Sequence, residues 1–163
     1  MSTEINAEDI CQRLVGITAI YLQNFVSRRL YGLHASVKPG KVRVQRRLFS
    51  RDDVFGIALV WLLFESGLRG DPIARVLNDL AGTKKANANL AAKKLLDKNA
   101  EYLLVIREPR GPKTPSEKPE QVVKVAGRSE LSSVSEQNPA ADLLFIPVGH
   151  KFEDIRKRME ILF

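Results

Sequence analysis

Cysteine, histidine and long apolar runs are scarce in this chain, and each shortage narrows what it can be. A single cysteine, Cys11, among 163 residues cannot form an intrachain disulfide. It sits among apolar neighbours and is expected to be a buried, inert thiol. The two histidines, His34 and His150, are far apart and have no cysteine or carboxylate at metal-ligand spacing. Both are expected on the surface, and no zinc or other cofactor is expected. The longest apolar stretch, Val54 to Phe64, has eleven residues, whereas a membrane span needs about 20, so it should be a buried helix. The opening Met-Ser-Thr-Glu-Ile-Asn lacks the basic-then-apolar layout of a signal peptide, and a cytoplasmic protein without membrane contact is expected. Phosphate loop, nucleophile elbow and dinucleotide fingerprint are all missing, and Ser132-Ser133 has no suitable His or acid partner in the sequence. An enzyme is not expected.

The most informative shortage is of acid. Between Ile10 and Arg51 lie Arg13, Arg28, Arg29, Lys38, Lys41, Arg43, Arg46, Arg47 and Arg51, with no Asp or Glu. That stretch carries +9 in a chain of net charge +7, so the remainder carries −2. With 44% apolar residues the chain can bury one good core or two small ones.

A first helix is predicted over about Asn6 to Val15, with Asn6 as cap and Ile10, Leu14 and Val15 on one apolar face, stopped by Gly16. A second is predicted from Thr18, as its cap, to about Leu30. Its Leu22, Phe25, Val26 and Leu30 fall on an inward face, and Gln23, Asn24, Ser27 and Arg28 face out. This pattern fits a helix-turn-helix reader of a major groove, but taken alone it favours an ordinary helical hairpin, since such hairpins are common and a glycine turn is weakly specific.

The following residues favour the former. Lys38-Pro-Gly-Lys41 reads as a turn, and Val42, Val44 and Leu48 alternate, or nearly so, with Arg43, Gln45, Arg46 and Arg47. A cationic β-hairpin repels itself and gains from an anionic ligand such as phosphate; a solvated basic face is the other reading. Ser50 then caps a third helix with Asp52 and Asp53 in its first turn, ended by Glu65-Ser-Gly. A fourth helix starts at Asp71-Pro72 and presents Ile73, Val76, Leu77 and Leu80 on one stripe.

In order and spacing these elements resemble the MerR-type DNA-binding domain over about Ile5 to Leu80. Gly16-Ile17-Thr18 stands at that family's turn, and Leu22-Gln23-Asn24-Phe25 stands where it often has Ile-Arg-Tyr-Tyr. Arg47-Leu-Phe-Ser50 followed by Asp53 matches its wing-to-helix step, and Glu65-Ser-Gly-Leu68 with Ile73-Ala-Arg-Val-Leu77 matches the segment beyond. The resemblance implies a mainly α winged helix-turn-helix domain that binds double-stranded DNA and regulates transcription, possible as a homodimer. The DNA-binding residues it points to are Thr18, Gln23, Asn24, Ser27, Arg28, Lys41, Arg43, Arg46 and Arg47. Gln23 and Asn24 depart from the family's Arg and Tyr, and each suits adenine edges, offering a donor beside an acceptor. Phe49 replaces a tyrosine. Asn87 to Asp97 is helix-prone but too short for the family's long dimerisation coil.

The expected organisation is a DNA-binding domain over 1–82, a connecting helix over 83–100, and a small α+β module over 101–163. In that module strands are predicted at Glu101 to Arg107, Gln121 to Ala126 and Leu143 to Val148. A loop with four prolines, Glu108 to Pro119, separates the first two, Ser129 to Gln137 reads as a short helix or loop, and a helix over about Phe152 to Leu162 packs inward through Ile155, Met159 and Leu162. A small ligand, a second copy or a protein partner each suits the module. Rival roles for the whole chain are a protein-interaction adaptor on the same scaffold and an excisionase-like DNA-architectural protein. RNA binding fits less well, because exposed aromatic pairs on strands are lacking.

Overall fold

A computed structural model of the chain describes residues 4–38, 46–107, 121–137 and 142–163. The chain is mostly helical, with two small antiparallel sheets.

Strand β1 (Ile5–Asn6) leads into α1 (Ala7–Asp9), where Asn6 Oδ1 accepts from the Asp9 N–H at 2.9 Å, the expected cap. The predicted regular helix then departs from α geometry: Ile10–Leu14 is a π turn, with the Val15 N–H bonded to the Ile10 carbonyl at 2.9 Å. Ile10, Leu14 and Val15 are buried as their spacing requires.

Helix α2 (Ala19–Ser27) buries Leu22, Phe25 and Val26. Each such side chain contributes about 1.5–3 kcal/mol of transfer free energy, which is what seats so short a helix. Two expectations change here. Thr18 occupies the cap position with extended backbone, but its side chain makes no capping hydrogen bond. The helix also stops at Ser27 instead of Leu30, because Arg29 (φ 49) and Tyr31 (φ 57) turn left-handed, and Leu30–Gly32 forms a 3-10 turn. The cause is tertiary: a Cβ on Gly32 (φ +75) would come within 2.9 Å of the Ala86 carbonyl, so the chain reverses where only glycine fits.

Strands β2 (Ser36–Lys38) and β3 (Arg46–Phe49) pair antiparallel, with Val37 opposite Arg47, and β1 joins the other edge of β3 through Ile5 opposite Phe49. The predicted hairpin tip, with Lys41, Val42, Arg43 and Val44, lies outside the described residues.

Helix α3 (Arg51–Glu65) opens with a reciprocal capping box: the Asp53 N–H donates to Ser50 Oγ at 3.2 Å, and the Ser50 N–H donates to Asp53 Oδ2 at 2.8 Å. It is buried nearly all round, as its apolar composition demands. Helix α4 (Asp71–Ala81) has Pro72 in its first turn and buries Ile73, Val76 and Leu77, with Leu80 half-buried. Helix α5 (Ala88–Asp97) lays Ala88, Ala91 and Ala92 in the core, and Asn89 Nδ2 donates to Asp53 Oδ1 at 2.6 Å. Gly56 accommodates Asn89, since a Cβ there would collide with the amide oxygen.

The second sheet runs in the order β5 (Gln121–Ala126), β4 (Tyr102–Arg107), β6 (Asp142–Ile146), all antiparallel, with β4 central and its Leu103, Leu104, Val105 and Ile106 buried. Pro147 ends β6 at the sheet edge, and α6 (Leu131–Gln137) occupies the Ser129 to Gln137 segment together with a 3-10 turn at Arg128–Glu130. The proline-rich loop predicted over Glu108 to Pro119 lies outside the described residues.

Helix α7 (Val148–Leu162) buries Phe152, Ile155 and Met159, leaving Leu162 half-buried. Phe152 meets Phe55 of α3 edge-on at 5.4 Å. Lys151 Nζ donates to the Val15 carbonyl at 2.7 Å, and Arg158 Nη1 to that of Arg13 at 3.1 Å. One apolar core therefore runs from Ile5 to Met159. Among the described residues no helix is long and apolar enough to cross a membrane.

Candidate nucleic-acid interface

The inward residues of α2 fix what it presents outward. With Leu22, Phe25 and Val26 in the core, Thr18, Gln23, Asn24, Ser27 and Arg28 are exposed on the helix or at its ends. An aromatic brace sets its attitude to α3: the Tyr21 ring lies 4.8 Å from Phe64 and 5.4 Å from Trp61, and Phe25 meets Phe64 at 6.2 Å. Arg69 closes the far side of the brace, its guanidinium 3.4 Å from the Phe64 ring centre. At the other end, Tyr31 packs edge-on against Phe25 at 6.1 Å, and burial together with the Asp71 carboxylate pushes its phenol up.

Strand β3 delivers Arg47 to the same side. A groove of about 470 Å³ is lined by Cys11 and Gln12 of the first helix, Leu22 and Gln23 of α2, and Arg47 and Phe49 of β3, with Glu8 also on its wall. A second groove of about 510 Å³ is lined by Val26, Ser27, Arg29, Gly32, His34, Ala35 and Arg47. Arg47 lines both and so stands between them. The fold thus brings together Gln23, Ser27 and Arg47 among the sequence-derived site residues. Asn24 and Arg28 are exposed on α2 outside these grooves, and Thr18 precedes its first turn, where the leading N–H groups have no partner within the helix. Lys41 and Arg43 lie outside the described residues, and Arg46 is placed only by the β3 backbone.

Cys11 differs from expectation in being half-buried instead of fully buried, because it lines the first groove. Burial nevertheless pushes its thiol up, which disfavours the reactive thiolate. Both histidines are exposed. Among the described residues no cluster of His, Cys, Asp and Glu could hold a metal ion.

Arg29 and His34 belong to the second groove although the sequence did not mark them as site residues. Their signal was weak: Arg29 read as the continuation of a helix and His34 as an isolated surface residue. What brings them together is the left-handed reversal after α2, with two non-glycine residues in a conformation that costs on the order of 1 kcal/mol or more each. The side chains of Arg28, Arg29, Arg47 and Arg51 make no ion pair among the described residues, whereas Arg13 pairs with Asp9 at 3.4 Å. The surface is therefore cationic and largely uncompensated. No protein-family model matches the chain, and no curated protein matches it.

Proposed function

We propose that the chain is a sequence-specific DNA-binding regulator of MerR-like winged helix-turn-helix type, with α2 in a major groove and the basic strands on flanking phosphates. The observation that carries the reading is the polar outward face of α2 beside Arg47, in a stretch with nine cations and no acid. Gln23 and Asn24 read base edges, for which their paired donor and acceptor are suited. Thr18, Ser27, Arg28 and Arg47 hold the sugar-phosphate backbone, and Lys41, Arg43 and Arg46 extend the cationic hairpin in sequence. A homodimer would place two copies of α2 on half-sites a helical turn or more apart, with residues 101–163 as its contact region.

One observation favours the adaptor reading. Ile20 is 73% exposed at the head of α2, and Tyr21 beside it is 39% exposed, an apolar pair suited to a protein partner.

Selection of binding sites from randomised duplex DNA near physiological salt separates the readings. An enriched motif, above all an inverted repeat, supports a sequence-specific and dimeric regulator. Retention without enrichment points to an architectural binder, and absence of retention defeats the DNA reading in favour of the adaptor.

A further inference from the structure

Two grooves flank Arg47, and among the described residues only the first has a carboxylate, Glu8, on its wall. The second is lined by Ser27 from the last turn of α2, Arg29 from the reversal that follows, His34, and Arg47 from β3. Two guanidinium groups without ion partners among the described residues, beside a hydroxyl, are the chemistry that binds phosphate oxygens.

His34 makes the site conditional. Its Nδ1 lies 3.2 Å from the Gly32 carbonyl, and a carbonyl only accepts, so Nδ1 carries the hydrogen. In the neutral ring Nε2 then offers a lone pair, which repels an anion. It becomes a donor only when the ring takes a second proton.

We propose that the groove of Ser27, Arg29, His34 and Arg47 is the seat of one backbone phosphate of the bound duplex, and that His34 takes up a proton from solvent at Nε2 as that phosphate arrives. The inference rests on the DNA-binding reading above. Among the described residues, the charged groups that line the groove with His34 are Arg29, from the turn after α2, and Arg47, from β3; both are cationic, and α2 contributes Ser27 and Val26. An imidazolium is a third positive charge in that setting, and the phosphate supplies its counter-charge. Proton uptake on binding makes affinity rise as pH falls, by up to about tenfold per pH unit for a full proton.

The test is titration of the full chain with duplex DNA across a salt series, at about pH 8 and about pH 6, a span over which imidazole changes charge. Wild type should bind several-fold more tightly at the lower pH. His34→Gln, whose amide can still donate to the Gly32 carbonyl, should lose the gain in affinity between the higher and the lower pH. Arg29→Asn, since asparagine tolerates the left-handed backbone, should lower the slope by about one unit at both. Equal wild-type affinity at the two pH values, a gain that persists in His34→Gln, or an unchanged slope in Arg29→Asn overturns the phosphate seat and leaves duplex binding standing. A wild-type chain that binds no duplex at either pH overturns both.

Discussion

Along α7, Arg158 lies 3.0 Å from Asp154, Lys157 lies 3.7 Å from Glu153, and Arg156 also pairs with Glu153, whereas Arg28, Arg29, Arg47 and Arg51 meet no carboxylate among the described residues. The two regions use the same residue types for different ends. The α7 pairs are spaced three or four residues apart and neutralise one another on a solvated helix face, contributing little to stability. Arg28, Arg29, Arg47 and Arg51 are left without such partners among the described residues, although Asp52 and Asp53 lie close in sequence. Asp53 is committed to the Ser50 cap and Asn89, so it serves the helix start instead of the arginines. Uncompensated charge beside the α2 face is a cost to the free protein that an anionic partner removes.

The largest effect is expected from Phe25→Ala, which should remove about 3–5 kcal/mol by emptying the space between α2 and the aromatic brace. Because one core joins both regions, thermal melts followed by far-ultraviolet circular dichroism and by Trp61 fluorescence should shift together; separate transitions would show the two regions to be independent. Arg47→Ala should lower the salt slope of duplex binding by about one unit on every sequence, while Arg156→Ala on α7 leaves the slope unchanged. Equal slopes in both variants would show that α7 and the α2 region meet duplex DNA alike.

A smaller effect belongs to Ser50→Ala, where loss of the cap should cost about 1 kcal/mol, seen as a lower urea midpoint. The smallest comes from Glu153, whose carboxyl is held below its ordinary range by the hydrogen bond and charge of Arg156, aided by Lys157. A depressed folded-state value stabilises the fold above the unfolded value, near pH 4.3 (about), and the contribution fades as pH falls through the lower folded value. Glu153→Gln should therefore flatten the acid limb of stability slightly and leave duplex affinity untouched, as paired melts and titrations would show.

Much of the scaffold was legible because local chemistry and global packing agree at Asn6, Ser50 and Pro72, each of which stands at the helix start its residue type favours. The stripes of α2 and α4 were legible for the same reason: apolar residues at helical spacing have only one way to be buried together. The end of α2 was not. Nothing in Arg28-Arg29-Leu30-Tyr31 forbids a helix, and the reversal there depends on Gly32 against Ala86, a contact between residues distant in sequence. The same reversal hid Arg29 and His34 from the site, whereas Gln23, Ser27 and Arg47 could be picked out from an outward helical face and a basic strand. The π turn at Ile10–Leu14 was likewise invisible, since its residues suit an ordinary helix.

The bonds from Lys151 and Arg158 to the Val15 and Arg13 carbonyls join residues 136 and 145 positions apart. During synthesis, the carbonyls closing the first helix wait for donors that lie 136 and 145 residues further along the chain. A nascent chain that has released the whole α2 region from the ribosome still lacks this clasp and the Phe152 contact, so the proposed reading head matures only once α7 has emerged as well.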